Sequence, residues 1–219
     1  MALGISDSLH YAITTGLAIA ALTASSSLYR YMKETLISKT DIAKISPVLL
    51  ISNVGGVAIS MFLPQYIGTV LFVMFIVNVC VTVVLPCRHV LMAPNLSKMS
   101  SWVGFQSGVI GVSGGSAAYS YWLKSTGDCQ KAAAISALIT CLIASLGAVA
   151  GLVMGIYSGH AITGSFGFLY WPAVLLVAPF SMLSTPIGIR LNKCLPHKLI
   201  RIIFIATMLL CAVMLLAVE

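Results

Sequence analysis

Ionisable side chains are scarce here: charged residues make up 8% of 219 positions and only 5 of them are acidic, where soluble domains carry about a quarter charged residues. Such a composition cannot coat a water-exposed surface, and with a hydrophobic fraction of 59% and a mean hydropathy of +1.05 it excludes a soluble globular protein. No C-x-x-C pair occurs among the 6 cysteines and no H-E-x-x-H pair among the 4 histidines, so no metal centre or cofactor is indicated. Intramembrane carboxylates are missing as well, which removes the usual pointer to a proton relay. An enzyme is not expected, since neither a carboxylate pair nor a nucleophile elbow is anticipated.

What is present is long apolar runs. Stretches free of Asp, Glu, Lys and Arg cover 8–29, 45–87, 99–123, 132–189 and 202–218, and a membrane span needs roughly 20 such residues. Breakers at Leu63-Pro64-Gln65 and from Ser158-Gly159-His160 to Gly164-Ser165 split the two longest. Seven segments result, at about 9–30, 45–63, 67–87, 101–123, 132–157, 168–189 and 199–218. They are apolar all round and rich in small residues, which predicts an all-α, polytopic transmembrane helix bundle rather than a barrel. The first segment is too long, and its N-terminal flank too poor in basic residues, for a signal peptide.

The 12 basic residues lie between the segments, as topology determinants do, and not along one face as a nucleic-acid surface requires. If all seven segments cross the membrane, they divide six and six. If 101–123 instead enters and leaves by one face, all 12 collect on one side. The middle of that segment, Gly111-Val112-Ser113-Gly114-Gly115-Ser116, is a poor helix interior, and irregular backbone is allowed at membrane depth where protein or a cavity surrounds it. The expectation is therefore a glycine-rich re-entrant hairpin between two three-helix units of opposite orientation, the inverted repeat of secondary transporters. The first repeat would occupy 1–95, and the hairpin with the second repeat 96–219.

Several motifs carry a resemblance: Gly108 through Gly115, then Tyr170-Trp171-Pro172 through Ser181, Ser184-Thr185-Pro186-Ile187-Gly188-Ile189-Arg190-Leu191, and Leu195-Pro196 through Phe204. Together they resemble the sulfite exporter TauE/SafE family of bacterial membrane transporters. Residues 3–64 are similar to that family's first half, from Leu3-Gly4 to Gly55-Gly56, and the likeness implies that the chain starts just after the family's first glycine-rich segment. Ser113 stands where the family usually has a glycine, and Tyr119 lies near an expected proline. The resemblance implies a multi-pass protein of the bacterial inner membrane that exports a small anion, a sulfur oxyanion or organosulfonate. The alternative is a non-transporting scaffold or accessory subunit. The partners expected are the anion and the lipid bilayer, not nucleic acid; self-association into a homo-oligomer stays open.

Without charges at depth, an anion must be held by neutral donors, and helix N-termini supply them. Gly111, Ser113, Gly114, Gly115 and Ser116 are the candidate binding residues, with Thr15, Ser136 and Thr140 as polar positions at matching places in the two units. Asn53, Asn78 and Gln106 read as glue between helices, and Arg190 as a topology anchor.

Overall fold

The computed structural model describes residues 5–34, 39–60, 65–84, 96–110, 112–157, 164–194, 196, 199, 202–207 and 210. The breakers at Pro64 and at Gly159 and His160 lie outside them. The described chain is almost wholly helical: α1 (Ile5–Lys33), α2 (Lys39–Ser60), α3 (Gln65–Val84), α4 (Leu96–Ile110), α5 (Gly115–Thr126), α6 (Cys129–Tyr157) and α7 (Trp171–Cys194). Residues 202–207 are helical too. Among the described residues, Tyr11–Lys33, Cys129–Tyr157 and Trp171–Leu191 are long and apolar enough to cross a membrane. Among the described residues, the one addition to the all-α expectation is a small antiparallel ladder ahead of α7, β1 (Ser165–Phe166) on β2 (Leu169–Tyr170), turned at Gly167 with φ +59°.

Small residues set how the helices pair. On α4, Ser100, Gly104 and Gly108 recur every four residues, and the stripe lies flat against α2. A Cβ added at Gly104 would sit 2.6 Å from the Leu49 carbonyl oxygen, and one at Gly56 would sit 2.9 Å from the Val109 nitrogen. Backbones this close require glycine. Asn53 Nδ2 donates to the Gly104 carbonyl at 3.2 Å, and the Ser52 and Ser101 hydroxyls are 2.8 Å apart. Leu49 facing Gly104 and Gly56 facing Val109 make α2 and α4 parallel.

The second tight pair is α1 with α6. Added Cβ atoms at Gly147 and Gly151 would each lie 2.7 Å from a side-chain carbon, of Leu17 and Thr14 respectively. Nearer the other end of the contact, Ser25 Oγ is 3.2 Å from Cys141 Sγ. Numbers rise on one helix as they fall on the other, so α1 and α6 are antiparallel. Between α5 and α6 the turn chemistry is explicit: Gly127, at φ +68°, donates its N–H to Leu123 O at 2.9 Å. Asp128 then caps α6, its Oδ1 accepting the Gln130 N–H at 2.8 Å. The core centres on Trp122, Ile45, Leu49, Val103, Leu138 and Ile139, all buried. Outward-facing α7 residues are apolar instead, Leu183 being 70% exposed, as lipid-facing residues are.

Candidate functional site

The segment over 101–123 is not one helix. It is α4 and α5 with a break between them, and Gly111 itself lies outside the described residues. α4 closes with the Val112 N–H donating to Ser107 O at 3.2 Å. Gly114 then turns left-handed, φ +69° and ψ −6°, as the N-cap of α5. A residue with a Cβ resists that conformation. Space forbids one as well, because an added Cβ at Gly114 would collide with Ser107 Oγ and press 3.0 Å from Ile143 Cδ1. Ile143 is fourteen residues from either end of α6. The break thus sits level with the middle of a helix about 43 Å long.

No side chain caps α5. By position, the Gly115, Ser116 and Ala117 amides have no intrahelical acceptor, and the positive end of the helix dipole lies with them. Gly115 packs directly on α6: a Cβ there would run into Thr140 Oγ1, and Ser136 Oγ donates to Gly115 O at 2.7 Å. Open to this N-terminus is a cavity of about 580 Å³, whose wall includes Ser113, Gly115, Ser116, Ser136 and Thr140. Tyr31, Tyr119, Gly188 and Phe204 complete much of the rest. A neighbouring recess of about 470 Å³ shares Tyr31, Tyr119, Ser136 and Thr140 and extends along α1 past Thr23 and Gly16.

Five of the expected binding residues therefore meet in one place, with Gly114 directly behind them. Thr15 does not join them. It is buried about 15 Å along α1 from Ser25, where its Oγ1 accepts the Tyr170 N–H at 3.1 Å and ties β2 to α1. Ser136 has its one proton engaged by Gly115 O, so it shapes the turn. Sequence reasoning missed Ser107, 2% exposed, whose Oγ is buried without a hydrogen-bond partner and faces Gly114. The small-residue spacing on α4 is the signal that would have marked it as lying on the inner face.

Gly111-Val112-Ser113-Gly114-Gly115 does match the G-x-S-x-G spacing. A nucleophile elbow follows a strand and needs a base beside its serine, whereas Ser113 follows helix α4 and, among the described residues, no His, Asp or Glu lines the cavity. Among the described residues no group of three or more His, Cys, Asp and Glu side chains is placed to hold a metal.

Long apolar helices packed around a cavity that a few hydroxyls and glycine backbone line, with one segment broken into α4 and α5, fit a polytopic membrane protein. The family model described as Sulfite exporter TauE/SafE matches residues 1–215. The chain belongs to that family, one of membrane transporters and not of enzymes. No curated protein and no solved structure matches it.

Proposed function

We propose that the chain moves a small sulfur oxyanion or organosulfonate outward across a bacterial inner membrane, holding it at the N-terminus of α5. The observation that carries this reading is the uncapped, glycine-started N-terminus of α5 opening onto the cavity of about 580 Å³. Three amides and the Ser113, Ser116 and Thr140 hydroxyls offer donors to an anion, and the helix dipole favours its charge. The Ser107 hydroxyl, buried behind Gly114 and outside the cavity wall, is not one of these donors.

Helix directions support the re-entrant hairpin. α1 and α5 both run antiparallel to α6, so they share a direction. Only residues 34–38 separate α1 from α2, so α2 starts near the end of the bundle where α1 finishes, and α4 is parallel to α2. α4 and α5 then run in opposite senses, as the two arms of a hairpin do. The inverted repeat draws support from α1 and α6, which lead the two units and are antiparallel. The boundary near 95 falls in the α3–α4 connection on this reading.

The test is uptake of radiolabelled sulfite, thiosulfate, taurine and chloride into proteoliposomes. Wild type should move one or more of the sulfur anions in preference to chloride. Gly114→Val and Gly115→Val should abolish that movement, while Gly55→Ala, at an exposed position where an added Cβ meets nothing within 4 Å, should retain it. Folded valine variants that transport at the wild-type rate would place the site elsewhere.

A further inference from the structure

The last turn of α1 and the far end of α7 enclose a second cleft, of about 290 Å³, lined by Arg30, Lys33, Glu34, Pro186, Ile189 and Arg190. Three bases against one acid leave a formal charge of +2. All four ionisable side chains are exposed, and a cluster of charges at the ends of apolar helices belongs in water rather than hydrocarbon, where its charge is available to solutes. Arg30 and Lys33 suit the C-terminus of a helix on dipole grounds alone. Arg190 has no such account: it sits inside α7, four residues before the helix ends at Cys194.

Chain connectivity joins this cleft to the cavity under α5. Arg30 lines one and Tyr31, the next residue, lines the other; Ile189 lines one and Gly188, the residue before it, lines the other. Tyr31 is 6% exposed and fixed in the core, so it forms a rigid side of the boundary. The opposite side is open, since a Cβ added at Gly188 would meet no atom within 4 Å. Glycine at this point leaves free space where any larger residue would project into it.

We propose that the Arg30–Lys33–Arg190 cleft is an antechamber that gathers a compact oxyanion and passes it between Tyr31 and Gly188 to the N-terminus of α5. This rests on the transport reading above and adds to it an approach route and a selectivity element. Charge of one sign in a recess walled by apolar helices concentrates counter-ions and raises their arrival rate, by about 10-fold or more where focusing is strong. Export fits this placement, because the basic ends of α1 and α7 mark the cytoplasmic side. A lipid phosphate shares the chemistry of a free oxyanion, and the experiment separates the two.

The probe is Gly188→Cys with the six native cysteines replaced by alanine, in nanodiscs of neutral phosphatidylcholine. Its reaction rate with the anionic reagent sulfonatoethyl methanethiosulfonate is compared with that of the cationic trimethylammonium analogue. The anion-to-cation rate ratio should exceed one and fall about 10-fold when Arg30→Gln and Arg190→Gln are added. An unchanged ratio overturns the antechamber whatever the protein transports. Adding phosphatidylglycerol should leave the ratio intact; if it abolishes anion preference, a lipid headgroup occupies the cleft and the inference fails. In proteoliposomes, Gly188→Trp should stop sulfite counterflow and Gly188→Ala should not, while the double Gln variant should raise the KM for sulfite several-fold. Wild type that moves no sulfur anion yet keeps the charge-dependent ratio would sink the transport reading alone. Normal transport with an unshifted KM would sink the antechamber alone.

Discussion

The Ser136 hydroxyl donates to the Gly115 carbonyl at 2.7 Å, bridging 21 positions of sequence and pinning the start of α5 to α6. Ser136→Ala removes the pin and leaves every α5 amide in place. The expected result is a loss of about 1 kcal/mol in stability and weaker sulfite binding through a less fixed turn. Ser136→Thr, which keeps the hydroxyl, should restore most of both. Thermal unfolding in detergent with and without sulfite reads the two effects separately.

Ser107→Ala tests the orphaned hydroxyl. Removing a buried group that has no hydrogen-bond partner should leave ligand-free stability unchanged or slightly raised. Sulfite should then stabilise the variant as much as wild type, because Ser107 Oγ lies behind Gly114 and outside the cavity wall. A Kd several-fold weaker than that of wild type would show that the hydroxyl reaches the anion after all.

Topology is checked at the two ends of α6. Single cysteines at Lys131 and Tyr157, both exposed, should behave oppositely in intact cells. An impermeant maleimide should label position 157 and spare position 131 if the proposed topology, with the basic loops in the cytoplasm, holds. Labelling at 131 alone would invert the orientation of the protein and with it the side assigned to the antechamber.

The α2–α4 contact predicts a stability effect with no chemical component. Gly108→Leu drives a side chain into the Asn53 carbonyl and the Val57 nitrogen, and neither backbone can yield. The variant should lose several kcal/mol and fail to give a monodisperse protein in detergent. Gly16→Leu, where an added Cβ meets nothing within 4 Å, should be tolerated for folding.

Much of the cavity was legible in the sequence because its backbone rule is local. A Gly-rich run with serines inside an otherwise apolar segment announces a helix break, and Ser136 and Thr140 lie one helical turn apart facing it. Thr15 was misplaced because matching positions in two sequence units need not face one cavity; Tyr170, which engages it, is 155 positions away. The α4 stripe was readable from Ser100, Gly104 and Gly108, but its partner was not. Nothing in the spacing says that α2, rather than any neighbouring helix, brings Gly56 against Val109. Gly188 enters the sequence reading only as part of the Ser184 to Leu191 motif, since the openness around it depends on residues from other helices.

The lengths of α4 and α5 bear on biogenesis. At 15 and 12 residues they reach about 22 Å and 18 Å, short of the roughly 30 Å hydrocarbon core. On the proposed hairpin topology neither can be released into lipid as a finished span, because the backbone groups at its inner end would be left in hydrocarbon without partners. α5 finds its pin, Ser136, only after α6 has been synthesised. Ribosome-bound chains that stop before α6 should therefore hold the α4–α5 region at the insertion machinery, open to protease, and seat it only when α6 arrives.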